Sequence, residues 1–171
     1  NLSSPKDNQL VLTFINTLKE DLDNSLSHLS KVYTLHGFCN YLLRHQPQLR
    51  NGLTEDFNYY HSLASLICSD WAIIKNTPIP KFIQMMRDLA AHDDLNFYFN
   101  RSNFYNSISF DDSIYRVFDV YRTNPEYINI LRLILIDEFQ DFNTLEASFI
   151  QKLADRSPIV IAGDDDQALY S

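Results

Sequence analysis

Asp137 and Glu138 stand side by side at the end of a fully apolar run, Leu133 to Ile136. Such a run reads as a buried strand, so both carboxylates emerge at one strand end. Hard oxygens there suit Mg²⁺, which takes one or two carboxylates and keeps part of its water shell. The second acid can polarise a water that attacks a phosphate. On its own the pair reads equally well as a solvated acidic strand end. A second apolar run, Ile159 to Ala162, leads into Gly163-Asp164-Asp165-Asp166-Gln167-Ala168-Leu169-Tyr170. A glutamine just past a strand end can sense an occupied phosphate site by hydrogen bonding. An aromatic three residues on can reach a base. Three adjacent acids also invite a two-metal cluster, but sequence neighbours cannot all face one metal.

The elements that must position these residues can be read from periodicity. Residues 9–14 and 31–35 read as short buried strands, and so do 131–136 and 158–162. Helical spacing recurs in Leu18, Leu22, Leu26 and Leu29, in Phe38, Cys39, Leu42 and Leu43 before Pro47, and in Leu145, Phe149, Ile150 and Leu153. Strand and helix alternate at both ends of the chain, which predicts an α/β unit with a parallel sheet. Its chemistry would lie at the carboxyl ends of the strands. From about residue 50 to 128 the pattern changes to helices. One face holds Tyr60, Leu63, Ile67, Trp71 and Ile74, a second Phe82, Met85, Met86 and Leu89, and a third Ile114, Val117, Phe118 and Tyr121. Asp111 and Asp112 sit favourably near the start of the third. The stretch Asn96 to Phe110, rich in Asn, Ser, Phe and Tyr, fits neither period.

Composition bounds the chemistry. The 171 residues, 45% hydrophobic and 21% charged, suit one folded domain or a domain with an insertion. Three glycines leave no room for a Gly-x-x-x-x-Gly-Lys phosphate loop. Net charge is −8, and the excess gathers at the end. There Asp137, Glu138, Asp141, Glu146, Asp155 and Asp164 to Asp166 face only Lys152 and Arg156. That argues against broad polyanion binding but leaves room for a local groove or a cation. Cys39 and Cys68 match no zinc or redox spacing, so a reduced, cytoplasmic setting is expected. No run is long enough to cross a membrane. His28, His45, His61 and His92 have no ligand spacing and read as having no site role. Cys39, Trp71 and the Met85-Met86 pair read as core. With Asn1 in place of an initiator, the chain reads as a piece of a longer protein.

Four of these stretches resemble, in order, motifs of the UvrD/Rep/PcrA helicases, superfamily-one motors that move along single-stranded DNA from 3′ to 5′. Asp137-Glu138-Phe139-Gln140-Asp141 resembles their motif II, and Gly163 to Tyr170 their motif III. Leu12-Thr13-Phe14-Ile15-Asn16 is similar to motif Ia, and Thr34-Leu35-His36-Gly37-Phe38 to motif Ib. The resemblance implies a RecA-like (P-loop NTPase type) parallel sheet, split as 1–48 and 129–171. Residues 49–128 would be a helical insertion, matching the family's inserted subdomain by position only.

It also implies roles. Asp137 would hold Mg²⁺, largely through water, and Glu138 would be the general base. Gln140 would lie in the ATP site, and Gln167 would contact the γ-phosphate. Phe14, Asn16, Thr34 and His36 would line the single-strand path, with Tyr170 beside stacking aromatics. The parent would be an ATP-dependent DNA helicase of repair, recombination or defence, acting on single strands and duplex junctions in a bacterial cytoplasm, with a nuclease or repair partner left open.

The departures are Ile15, Leu35 and Gly37, where the family often has Thr, Phe and Ser, and Glu146, where it often has Gln. The phosphate loop and the second RecA-like domain are absent, so the chain alone is expected to be inactive. Two other readings stay open: the helicase part of a helicase–nuclease system, and a non-catalytic module that docks DNA or protein through its helical middle.

Overall fold

The computed structural model describes residues 8–13, 19–20, 23–25, 28–90 and 93–163. Among them, four strands form one parallel sheet: β1 (Gln9–Thr13), β2 (Lys31–Thr34), β5 (Leu133–Ile136) and β6 (Ile159–Ile161), in the order β2-β1-β5-β6. In β1, Leu10, Val11, Leu12 and Thr13 are all buried, whichever face they point to. That is the pattern of a strand covered on both sides. At the other extreme, Val160 and Ile161 of β6 are about half exposed, because β6 is an edge strand among the described residues. Register is continuous across the sheet: Leu12 lies beside Tyr33 and Ile136, and Ile136 beside Ile161.

Helix α1 (Leu35–His45) follows β2 directly, and the Thr34 hydroxyl caps it by accepting the Gly37 N–H. Its end comes just before Pro47, as the spacing predicts. Next come β3 (Asn58–Tyr59), α2 (Leu63–Lys75), α3 (Phe82–Arg87), α4 (Asp94–Phe104), β4 (Ser107–Ile108) and α5 (Phe110–Thr123). The last helix, α6 (Thr144–Ala154), joins β5 to β6. Helix α5 packs against both α1 and α6, so it extends the helical layer beside the sheet. The buried side chains make one continuous cluster from Leu10 and Ile134 through Phe149, Tyr121 and Leu42 to Trp71 and Tyr98.

The middle differs from its sequence reading in three places. Strands β3 and β4 pair in parallel, although strand signal was absent there, because two residues each are too few to show alternation. Tyr60 and Ile74 do not join the buried face of α2; they are exposed, while Leu63, Ile67 and Trp71 are buried. The unassigned stretch from Asn96 becomes α4, β4 and the start of α5. Its polar residues are tying points: Asn103 Nδ2 donates to Asn51 O, and Asn106 Oδ1 accepts the Thr54 N–H. Gly52 is obligatory beneath Asn103, since its φ is +97° and a Cβ would sit 2.3 Å from Asn103 Nδ2. Cys39, Trp71 and Met86 are buried as expected, and Met85 is half-buried against the core. No helix among the described residues is long and apolar enough to cross a membrane.

Candidate functional site

From β1 the chain steps to β2 on one side, then returns on the other side to β5 and β6. The connections of β1 and β5 therefore diverge, which opens a crevice at their carboxyl ends. Asp137 leaves β5 there, held by its N–H donating to Leu12 O at 2.9 Å. Across the other edge of β5, Ala162 N donates to Ile136 O at 2.7 Å, which brings Gly163 alongside. The acidic end of β5 thus lies beside Gly163, while Asp164 to Asp166 lie outside the described residues.

Glu138 has φ 55° and ψ 43°, the left-handed region. For a residue with a Cβ that conformation costs about 1–2 kcal/mol, and such strain gathers at functional sites. The conformation turns the backbone out of the sheet and into a single 3₁₀ turn, Phe139–Asp141. Gln140 Nε2 donates to Glu138 Oε2, while Gln140 Oε1 is buried and has no hydrogen-bond partner among the described residues. A Cβ on Gly163 would lie 2.7 Å from that Oε1, so the bare glycine is what lets the Gln140 amide reach Glu138. We expect Gly163→Ala to leave the melting temperature nearly unchanged, because only the tip of a flexible side chain must move. It should displace the Gln140 amide, and the Gln140 side-chain NH₂ resonances in a ¹⁵N–¹H spectrum would report that.

Among the described residues no cluster of three His, Cys, Asp or Glu could hold a metal by protein ligands alone. Asp137 and Glu138 instead offer hard carboxylates at a half-buried strand end, beside an amide oxygen with no partner among the described residues. That donor set fits Mg²⁺, which takes few protein ligands and completes its shell with water and phosphate. Following the turn, Asn143 caps α6: its Oδ1 accepts the Glu146 N–H, and Glu146 Oε2 accepts the Asn143 N–H at 2.9 Å. This reciprocal capping box fixes where the turn ends.

A second site lies at the end of β2. Thr34 and His36 line a cleft of about 460 Å³ with His61, Ala64, Ile83, Arg87, Ser109, Phe110 and Asp111. Phe110 is 42% exposed, and three rings meet it edge-on: His36 at 4.7 Å, Tyr59 at 5.2 Å and His61 at 5.9 Å. The phenyl stays partly open to another flat group while near-perpendicular rings hold it. Arg87 lies on the cleft wall, bonded to both oxygens of Asp111 at 2.6 and 3.3 Å. Burial pushes the His36 pKa down; Asp111 opposes this and Arg87 adds to it.

Of the residues expected to act, Asp137, Glu138 and Gln140 are adjacent, and Thr34 and His36 share the cleft. Phe14, Asn16, Gln167 and Tyr170 lie outside the described residues. Phe110 and His61 were missed from sequence. Ser109 and Asp112 mark a helix start, but spacing alone does not show that the first-turn phenyl faces a cleft made by distant segments.

The family model for the UvrD/REP helicase N-terminal domain matches residues 81–171, a stretch that holds both Asp137-Glu138 and Gly163 to Tyr170. The chain is 38% identical over 71 residues to a probable DNA helicase II homolog of Mycoplasma capricolum, which covers 39% of this chain and 10% of that protein. It is 35% identical over 71 residues to the ATP-dependent DNA helicase Rep of Escherichia coli, with the same coverage. A longer alignment, 24% identical over 214 residues, joins 95% of it to 28% of the ATP-dependent DNA helicase UvrD1 of Mycobacterium leprae. The chain thus spans about a tenth of the curated relatives it matches at higher identity. With the parallel sheet and the Asp137-Glu138 end of β5, the match places this chain in the UvrD/REP helicase family.

Proposed function

We propose that this chain is part of the motor of an ATP-dependent DNA helicase, with nucleotide chemistry at the ends of β5 and β6 and single-stranded DNA in the cleft beside β2. The observation that carries the reading is the emergence of Asp137 and Glu138 at the switch point between β1 and β5, with Gly163 alongside and an open aromatic cleft at the end of β2. Mg²⁺ bound there would neutralise charge on the β- and γ-phosphates. Asp137 would hold that ion largely through water. Glu138, aimed by its left-handed backbone and steadied by Gln140, takes the proton of the attacking water. Gln167 reads the γ-phosphate. Residues 49–128 form the inserted unit of a domain whose remainder is 1–48 and 129–171. The intact protein steps from 3′ to 5′ in repair, recombination or defence and acts on single strands and duplex junctions. The chain alone does not turn over ATP, because its sequence has no Gly-Lys phosphate loop.

In the cleft, Thr34 and His36 meet the sugar-phosphate backbone and Phe110 stacks on a base. We assign single-strand contact to Phe14, Asn16 and Tyr170 as well, which lie outside the described residues. Stacking suits a motor, since every base offers a flat face whatever the sequence. The test is fluorescence anisotropy of a labelled oligothymidylate with the purified chain. Phe110→Ala should weaken binding between about fivefold and about a hundredfold, matching roughly 1–3 kcal/mol for one stacked base. Equal affinity of wild type and variant would remove the cleft from the DNA path. Mg²⁺-dependent ATP turnover by the chain alone, lost in Glu138→Gln, would overturn its expected inactivity.

A further inference from the structure

Glu146 is 3% exposed, yet each of its carboxylate oxygens faces a different site. Oε2 accepts the N–H of Asn143, at the exit of the turn that follows Asp137 and Glu138. Oε1 lies 3.8 Å from Nε2 of His36, across in the cleft. That distance suits an ion pair and is too long for a direct hydrogen bond. A carboxylate this buried is costly unless both oxygens are used.

The geometry points to Glu146 as a positioning residue with two tethers, one on the nucleotide-side turn at Asn143 and one on the His36 ring that lines the DNA cleft. This deepens the function proposed above and rests on it for the identity of the cleft ligand. Because Asn143 caps α6, the Glu146 carboxylate is bonded to the exit of the Asp137–Asp141 turn on one side and faces the imidazole on the other. One carboxylate then links the end of β5 to the end of β2 without passing through the sheet.

Four other ionisable groups bear on the imidazole and carboxylate. Asp111 comes from the first turn of α5 and Arg87 from α3, paired with each other; His61 precedes α2; Cys39 lies within α1. Burial raises the proton affinity of Glu146, and burial lowers that of His36, so at neutral pH the imidazole is mostly neutral and the contact stays long. As pH falls, His36 gains a proton and the ion pair closes. An ionised Glu146 favours that step, so removing its charge must move the His36 midpoint down.

The test uses the full chain and has two arms. In the first, His36 ring resonances are followed by NMR against pH in wild type, Glu146→Gln and Asn143→Pro. Glu146→Gln keeps an acceptor for the Asn143 N–H and removes only the charge. Asn143→Pro cuts the other tether, and the φ of −76° at Asn143 already suits a proline. The His36 midpoint should fall by about half a unit or more in Glu146→Gln, and it should also move in Asn143→Pro. The second arm is oligothymidylate binding at pH 8 and at a pH about one unit below the His36 midpoint found in the first arm. Wild type should tighten by about threefold at the lower pH through one added imidazolium, and Glu146→Gln should lose most of that gain. An unchanged His36 midpoint in both variants refutes the tether, whether or not DNA binds. If the midpoint moves but wild type binds no oligothymidylate at either pH, the tether stands and the DNA reading of the cleft fails.

Discussion

Replacing Asp112 with asparagine should make this chain more stable above neutral pH and flatten its stability profile between about pH 4 and pH 7. Asp112 is completely buried at the start of α5. Its Oδ1 accepts the Ser109 N–H at 2.7 Å, and its Oδ2 lies 3.3 Å from Ser102 Oγ. The single Ser102 proton is better placed on Ser107 O, only 2.6 Å away. A protonated Asp112 can instead donate to Ser102 Oγ, while Arg116 Nη2 donates to the same oxygen at 2.9 Å. Burial raises the Asp112 pKa from 3.8 to about 7, with the neighbouring Arg116 pulling the other way.

The sign follows from which state holds the proton more tightly. The folded chain keeps it up to about pH 7, whereas the unfolded chain releases it near 3.8. The contribution of Asp112 is therefore fully present on the acid side and is lost as pH rises through that window. A shift of this size corresponds to about 4 kcal/mol as an upper bound, at 1.36 kcal/mol per unit. Asparagine presents the same oxygen to Ser109 and an N–H to Ser102 at every pH, so it keeps the acid-side contacts. Urea unfolding at pH 5 and pH 8 measures the difference. Wild type should lose stability between them, and Asp112→Asn should lose much less. Parallel losses in the two proteins would mean that Asp112 is ionised throughout.

The sequence exposed the sheet more readily than the cleft, for a physical reason. Short apolar runs within 9–14, 131–136 and 158–162 announce strands, most plainly in β1, which is covered on both faces, and the acids that end β5 inherit a place at its carboxyl end. Helices α1 and α6 follow from the spacing of Phe38, Cys39, Leu42 and Leu43, and of Leu145, Phe149, Ile150 and Leu153. The stretch from Asn96 to Phe110 hid its structure because its stability comes from partners far along the chain. Arg101 binds Asp70 at 2.7 Å, and Asn103 holds Asn51. Such pairings leave no local period. The cleft was hidden for the same reason: His36, His61, Arg87 and Phe110 come from four separate segments and share a surface only after folding. Glu146 shows the limit most plainly. From sequence it is a departure from the usual glutamine, and only the fold reveals that its two oxygens face two sites.

Glu138 carries the second large effect, and its backbone makes it separable from a general loss of structure. In the intact helicase that we propose, Glu138→Gln should cut ATP turnover by about 10²–10⁴-fold, the usual contribution of a positioned general base. Stability should hardly change, since glutamine keeps the length and can still meet Gln140. Glu138→Gly makes the opposite test of the same residue. Glycine adopts φ 55° without a Cβ clash, so the left-handed turn should relax by about 1 kcal/mol, less the entropy that a glycine loses on folding. The chain carrying Glu138→Gly should therefore melt no lower than wild type, and somewhat higher if the relieved strain outweighs that entropy. The intact protein carrying it should hydrolyse no more ATP than Glu138→Gln does. A drop in melting temperature with Glu138→Gly would mean that the carboxylate, through Gln140, holds the turn together. Near-normal turnover in Glu138→Gln would place the base elsewhere. A residue that costs the fold energy and whose loss costs only chemistry is held in its conformation for function, and these two substitutions measure the two costs independently.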